Sequence, residues 1–96
     1  MSVVEVTTFR LADGADVDAF LRDDRRVQTE LVPNQPGFLR RTTARRGDHW
    51  LVVTLWAGLE QAEAFDVVSA AHPVQEAFAA HMEPGSLTVG RFETLD

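Results

Sequence analysis

The chain has no cysteine. That excludes disulfide staples, thiolate zinc sites, iron–sulfur clusters and a cysteine nucleophile, and it fits a cytoplasmic protein. Lysine is absent too, so the nine basic side chains are all arginines. We read that as a bias of the source genome. No apolar run approaches the roughly 20 residues of a membrane-spanning helix, so no membrane partner is expected. The opening residues 1–5 lack a basic segment followed by an apolar core, so no secretory signal is expected. There is no glycine-rich phosphate loop. Ser2, Ser69 and Ser86 lack a glycine elbow, which argues against a serine hydrolase. What is present is ordinary globular composition: 96 residues, 45% hydrophobic and 25% charged. One domain over 1–96 is expected, with a modest core.

The net charge of −6 is unevenly spread. Residues 12–34 carry six acids against three arginines, and residues 58–83 carry five acids and no base. Arg40, Arg41, Arg45 and Arg46 make the one basic cluster. An acidic chain is a poor binder of phosphate backbones, so no nucleic-acid partner is expected.

Along the chain, Val3 to Leu11 is rich in β-branched and aromatic residues and reads as a strand. Asp16 is a good N-cap, and Val17, Phe20, Leu21, Val27, Gln28 and Leu31 recur at helical spacing. A helix over 17–32 is predicted, ended by the turn from Pro33 to Gly37. Strands at 38–45 and 49–56 flank the turn at Arg46-Gly47-Asp48, which makes an antiparallel hairpin. Helical pieces follow at 59–71 and 73–82, separated at Pro73, which cannot donate inside a helix. A last strand spans 87–95, with Gly90 marking a bulge. The order β-α-β-β-α-β is the ferredoxin-like α+β pattern with an antiparallel sheet.

The third strand is apolar on both faces. Leu51, Val53 and Leu55 point one way, and Trp50, Val52 and Trp56 the other. Helices cover one face of such a sheet, and the chain has no element left for the second. A homodimer is therefore expected, the partner subunit supplying the missing layer.

Gln35-Pro36-Gly37-Phe38-Leu39, Val53-Thr54-Leu55-Trp56, Glu60-Gln61-Ala62-Glu63-Ala64-Phe65 and Phe78-Ala79-Ala80-His81 carry a resemblance over nearly the whole chain. The sequence resembles the dimeric α+β barrel superfamily, particularly its antibiotic-biosynthesis monooxygenase-like branch. The resemblance implies two sheets paired face to face into a barrel, helices outside. It also implies a pocket for a small hydrophobic or aromatic ligand between each sheet and its own helices. The branch includes cofactor-independent monooxygenases, haem-degrading oxygenases and proteins without known function.

His81 continues the apolar stripe of Val74, Ala77 and Phe78, where an imidazole can serve as a base or ligate iron. The alternative is a histidine at the core edge, hydrogen-bonded to backbone. In haem-degrading relatives a histidine at a similar place ligates iron, beside an asparagine of the first strand and a tryptophan of the second helical region. Here the only asparagine is Asn34, in a turn, and the comparable helix positions are Val67 and Val68, so haem degradation is disfavoured. Asp24 falls on the apolar face of the first helix. A carboxylate there is costly to bury unpaired. It either pairs with an arginine of the sheet, such as Arg10 or Arg41, or faces a wet pocket as a base.

Trp56, Phe65 and Phe78 are the candidates to shape the pocket, with packing as the rival role for Trp56. His72 is a cap or a ligand contact, and His49 is expected at the surface. Alternation puts Arg41 and Arg45 on one face of their strand, where an ion pair or an anionic ligand is their use. Three separated histidines give no metal site. Tyrosine, a common acid in oxygenase-type pockets, is absent.

The leading reading is a monooxygenase that needs no cofactor and acts on a reduced aromatic or polyketide-like substrate. The protein then has only to take a proton, hold the anion and exclude water. His81 and Asp24 are the base candidates. The rival is a non-enzymatic dimeric ligand-binding or interaction domain. Isomerase or lyase chemistry with the same base is a third.

Overall fold

The computed structural model describes residues 1–95. Strand β1 (Val3–Phe9) leads to α1 (Val17–Arg26), the hairpin β2 (Phe38–Arg46) and β3 (His49–Trp56), the helices α2 (Leu59–Ser69) and α3 (Pro73–Ala79), and β4 (Thr88–Glu93). The four strands form one antiparallel sheet in the order β2-β3-β1-β4. This is the ferredoxin-like α+β fold, its second helical segment split at Pro73. Among the described residues no helix is long and apolar enough to cross a membrane.

The register sorts the two sheet faces. Val3, Glu5, Thr7 and Phe9 lie opposite Trp56, Thr54, Val52 and Trp50. This is the face against the helices. Phe20 of α1 is its hub, with ring contacts to Trp50 at 4.9 Å, Phe78 at 5.2 Å and Phe9 at 5.8 Å. A second cluster joins Val3, Trp56 and Ala62, with Phe38 and Phe65 packed on it. The opposite face carries Val4, Val6, Leu51, Val53 and Leu55, all half-buried, and Phe92, which is 61% exposed. Among the described residues no layer covers it.

Local chemistry explains the element ends. Asp16 caps α1 by accepting from the Ala19 N–H at 3.2 Å, and Arg25 and Arg26 sit in its last turn. The helix expected to reach residue 32 ends earlier, at Arg26. A π turn (Val27–Leu31) and a 3₁₀ turn (Val32–Asn34) follow. The Val32 N–H reaches back five residues to Val27 O, and the widened turn leaves Val27, Leu31 and Val32 all buried just before Pro33. His72 caps α3, its Nδ1 accepting from the Val74 N–H at 3.2 Å.

The second helical pieces are also shorter than expected, ending at Ser69 and Ala79, and β4 spans fewer residues than 87–95. The expected bulge at Gly90 does not form. The β1–β4 ladder runs unbroken through Val6 opposite Gly90, and the irregularity lies in β2 between Phe38 and Arg40. Gly90 instead makes room for Phe92, whose ring would stand 3.2 Å from an added Cβ. Gly37 is required for two reasons. Its φ is +79°, and an added Cβ would collide with Gln61 Cγ.

Candidate functional site

A cavity of about 170 Å³ opens between the helix face of the sheet and the helical layer. Phe65 of α2 and Phe78 of α3 are among its apolar walls. Its floor is polar along one line. Arg41 of β2 is opposite Thr54 of β3, Thr54 is opposite Glu5 of β1, and Glu5 is opposite Arg91 of β4. One row of four polar side chains therefore crosses the whole sheet. The row beside it, Val52 and Thr7, is less polar, and the row on the other side, Trp56 and Val3, is apolar. Three members of the polar row, Arg41, Thr54 and Glu5, line the cavity.

Arg41 is nearly enclosed, its side chain 4% exposed. Nη2 donates to Asp24 Oδ1 at 2.8 Å, Nη1 reaches Gln28 Oε1 at 3.4 Å, and the guanidinium stands 5.3 Å from the Phe78 ring centre. The same Asp24 oxygen accepts from Thr43 Oγ1 at 2.8 Å. Burial pushes the Arg41 guanidinium below its usual pKa, and attraction to Asp24 and their hydrogen bond only partly oppose that.

Glu5 is held from the other side. Arg91 Nε donates to Glu5 Oε2 at 2.7 Å, and Arg91 Nη2 donates to Asp66 Oδ1 of α2 at 2.6 Å. These contacts raise the Arg91 pKa, the hydrogen bond to Asp66 foremost. Glu5 Oε1 has no partner among the described residues, and neither has Thr54 Oγ1, although Thr54 is only 6% exposed. Both groups border the cavity. The arrangement can accept a hydrogen bond at Glu5, donate several at Arg41, and do either at Thr54.

The residues singled out from sequence divide into two sets. Phe65, Phe78 and Arg41 line the cavity. Trp56 is fully buried behind Phe65, with ring centres 5.1 Å apart, and lies outside the lining. His72 caps α3. His81 Nε2 is 2.7 Å from Asp23 Oδ2, its ring edge against Phe20 at the seam of α1 and α3. Asp24 pairs with Arg41, as its place on an apolar helix face requires. Neither His81 nor Asp24 is among the lining residues.

Glu5, Thr54, Asp66 and Arg91 were not singled out. Their signal was faint but present. Glu5 is the one acid in β1, and Arg91 is the only arginine after residue 46. Placing them together needs the β1–β4 register, which joins residues 86 apart.

No protein-family model and no curated protein sequence matches the chain. Solved structures match its fold. SnoaB, a cofactor-independent oxygenase from Streptomyces nogalater, superposes with a TM-score of 0.77 at 20% identity, over 99% of this chain and 94% of that one. A provisionally named antibiotic biosynthesis monooxygenase from Caulobacter crescentus CB15 gives 0.77 at 14% identity, over 99% and 91%. A dimeric ferredoxin-like protein of unknown function from Jannaschia sp. CCS1 gives 0.73 at 13%, over 98% and 100%. The fold is thus that of the antibiotic-biosynthesis monooxygenase-like structures, as the resemblance implied. Identities this low establish fold alone.

Proposed function

We propose that the chain is a small-molecule-binding protein that oxygenates a reduced aromatic substrate without a cofactor. One observation carries the reading: an aromatic-walled cavity on the helix face whose floor holds a carboxylate, Glu5, with one oxygen free. SnoaB, of the same fold, is a cofactor-independent oxygenase. In this chemistry the protein takes a proton from an electron-rich substrate, holds the resulting anion and keeps water away while oxygen reacts. Glu5 is the group placed to take the proton, and Arg41 is placed to stabilise charge on the opposite end of the ligand. For an anthrone the reaction balances as one methylene oxidised to a carbonyl, one oxygen atom incorporated and the other released as water.

The protein works as a homodimer on this reading. Val4, Val6, Leu51, Val53, Leu55 and Phe92 form an apolar face that one copy alone leaves open. A second copy laid on it closes both sheets into a barrel.

The test is oxygen uptake by flavin-free, chelator-treated protein given dithranol (1,8-dihydroxyanthrone), with appearance of the matching anthraquinone. Uptake above the buffer rate supports the reading, and an unchanged rate removes dithranol-type oxygenation. The non-enzymatic reading has one observation in its favour: both bases named from sequence already have partners, His81 with Asp23 and Asp24 with Arg41, and neither lines the cavity. Haem ligation gains nothing from the geometry, because His81 Nε2 already bonds Asp23.

A further inference from the structure

The polar row has a charge balance that says more about its ligand. Arg41 is already neutralised by Asp24, and Arg91 is shared by two acids, Glu5 and Asp66. Around the cavity two guanidinium groups thus face three carboxylates, and the set is net negative. A ligand bringing its own carboxylate would add a fourth anion beside these three, and like charges repel. A neutral ligand adds none. Yet the floor is not apolar. Its unused capacity is directional. Arg41 has five N–H donors and two acceptors, Asp24 and Gln28. Thr54, a residue more than nine-tenths buried, lines the cavity in the middle of the row, and its hydroxyl has no partner among the described residues. Glu5 Oε1 is a free acceptor at the far end. Arg41 and Glu5 are two strand positions apart, about 10 Å between backbones.

We infer that the row Arg41–Thr54–Glu5 selects an uncharged aromatic ligand that carries a carbonyl acceptor at one end and a hydroxyl donor at the other. The carbonyl oxygen lies against Arg41 and Thr54, and the hydroxyl donates to Glu5. The row therefore fixes which way round the ring binds, and it discriminates against carboxylated analogues. The inference rests on the reading of this cavity as the ligand site, but not on oxygenation occurring there.

The test uses ligands that dioxygen does not attack under the assay conditions. 4-Hydroxyacetophenone carries both groups. 4-Ethylphenol lacks the carbonyl, acetophenone lacks the hydroxyl, and 4-hydroxybenzoate replaces the neutral carbonyl with a carboxylate. Titration calorimetry or ligand-observed NMR on the full chain gives the affinities. The two-ended ligand is expected to bind about tenfold more tightly than either one-ended ligand, and more tightly than the benzoate. Thr54→Val keeps the shape of the side chain and removes the hydroxyl. It is expected to weaken 4-hydroxyacetophenone about tenfold and 4-ethylphenol hardly at all, with Thr54→Ser restoring most of the loss. Tighter binding of 4-hydroxybenzoate, equal binding of all four ligands, no binding by any, or equal weakening of both ligands by Thr54→Val overturns the inference. The oxygenase reading fails separately. Selective binding without dithranol-dependent oxygen uptake leaves this inference standing and removes that reaction. Uptake without the selectivity does the reverse.

Discussion

Asp24→Ala removes the partner of Arg41, the one buried charged side chain among the described residues. The Arg41 side chain is 4% exposed and that of Asp24 14%, with 2.8 Å between Nη2 and Oδ1. Breaking such a pair from one side leaves a buried charge uncompensated, at a cost of about 3–5 kcal/mol. Arg41 borders the cavity, and water admitted there offsets part of the loss. The expected cost is therefore at the lower end, about 3 kcal/mol. With a urea slope of about 2 kcal/mol/M, the unfolding midpoint falls by about 1.5 M. Asp24 also accepts from Thr43, so Asp24→Asn, which retains an acceptor, is expected to cost less. Replacing both partners, as in Asp24→Leu with Arg41→Met, removes the buried charges together and is expected to recover most of the stability. The surface pair Arg10–Glu83 is the control, because its side chains are 48% and 37% exposed. Glu83→Ala is expected to leave the midpoint almost unmoved. A midpoint shift below about 0.3 M for Asp24→Ala, or a double variant no better than the single one, would refute the reasoning.

Three further outcomes follow from the packing. Val53→Asp places a charge in the middle of the open sheet face, away from the helices, and is expected to turn a dimer of twice the chain mass into a monomer by light scattering. A wild type that is monomeric at micromolar concentration contradicts the barrel. His81→Ala breaks the pair with Asp23 and the edge contact with Phe20 outside the cavity, so thermal stability should fall while affinity for 4-hydroxyacetophenone stays within about twofold. Trp56 Nε1 is buried without a hydrogen-bond partner, so Trp56→Phe sheds an unsatisfied donor along with packing. Its cost should be about 1–2 kcal/mol by urea unfolding, below the roughly 3–5 of a truncation to alanine.

Hydrophobic period and turn chemistry carried most of the fold. Asp16, Pro73 and the hairpin turn at Arg46-Gly47-Asp48 mark their elements by local rules that tertiary contacts did not override. The two-faced strand Leu51 to Trp56 sorted its side chains as alternation requires. The π turn over Val27–Leu31 was not legible, because Val27 and Leu31 share a face in an α-helix too. The irregularity between Phe38 and Arg40 has no glycine within it, and Gly37 just before it reads as the end of the preceding turn. The site was harder to read for a related reason. Phe78 and Phe65 declare themselves through apolar spacing, but Glu5, Thr54 and Arg91 matter because two strand pairings bring them into one row. A histidine on an apolar helix stripe drew attention to His81, whereas Asp23, one residue before Asp24, is what holds it.

Oxygen consumption by wild type and Thr7→Phe, side by side with dithranol as substrate, tests the central claim most directly. Thr7 lies on the cavity floor in the row next to Glu5, and a phenyl ring there fills the space while leaving Glu5, Arg41 and the open sheet face in place. Far-ultraviolet circular dichroism confirms that the variant is folded. The expected result is oxygen uptake by the wild type, abolished or cut more than tenfold in Thr7→Phe. Equal uptake by the two folded proteins, or none by the wild type, contradicts the assignment of that chemistry to this cavity.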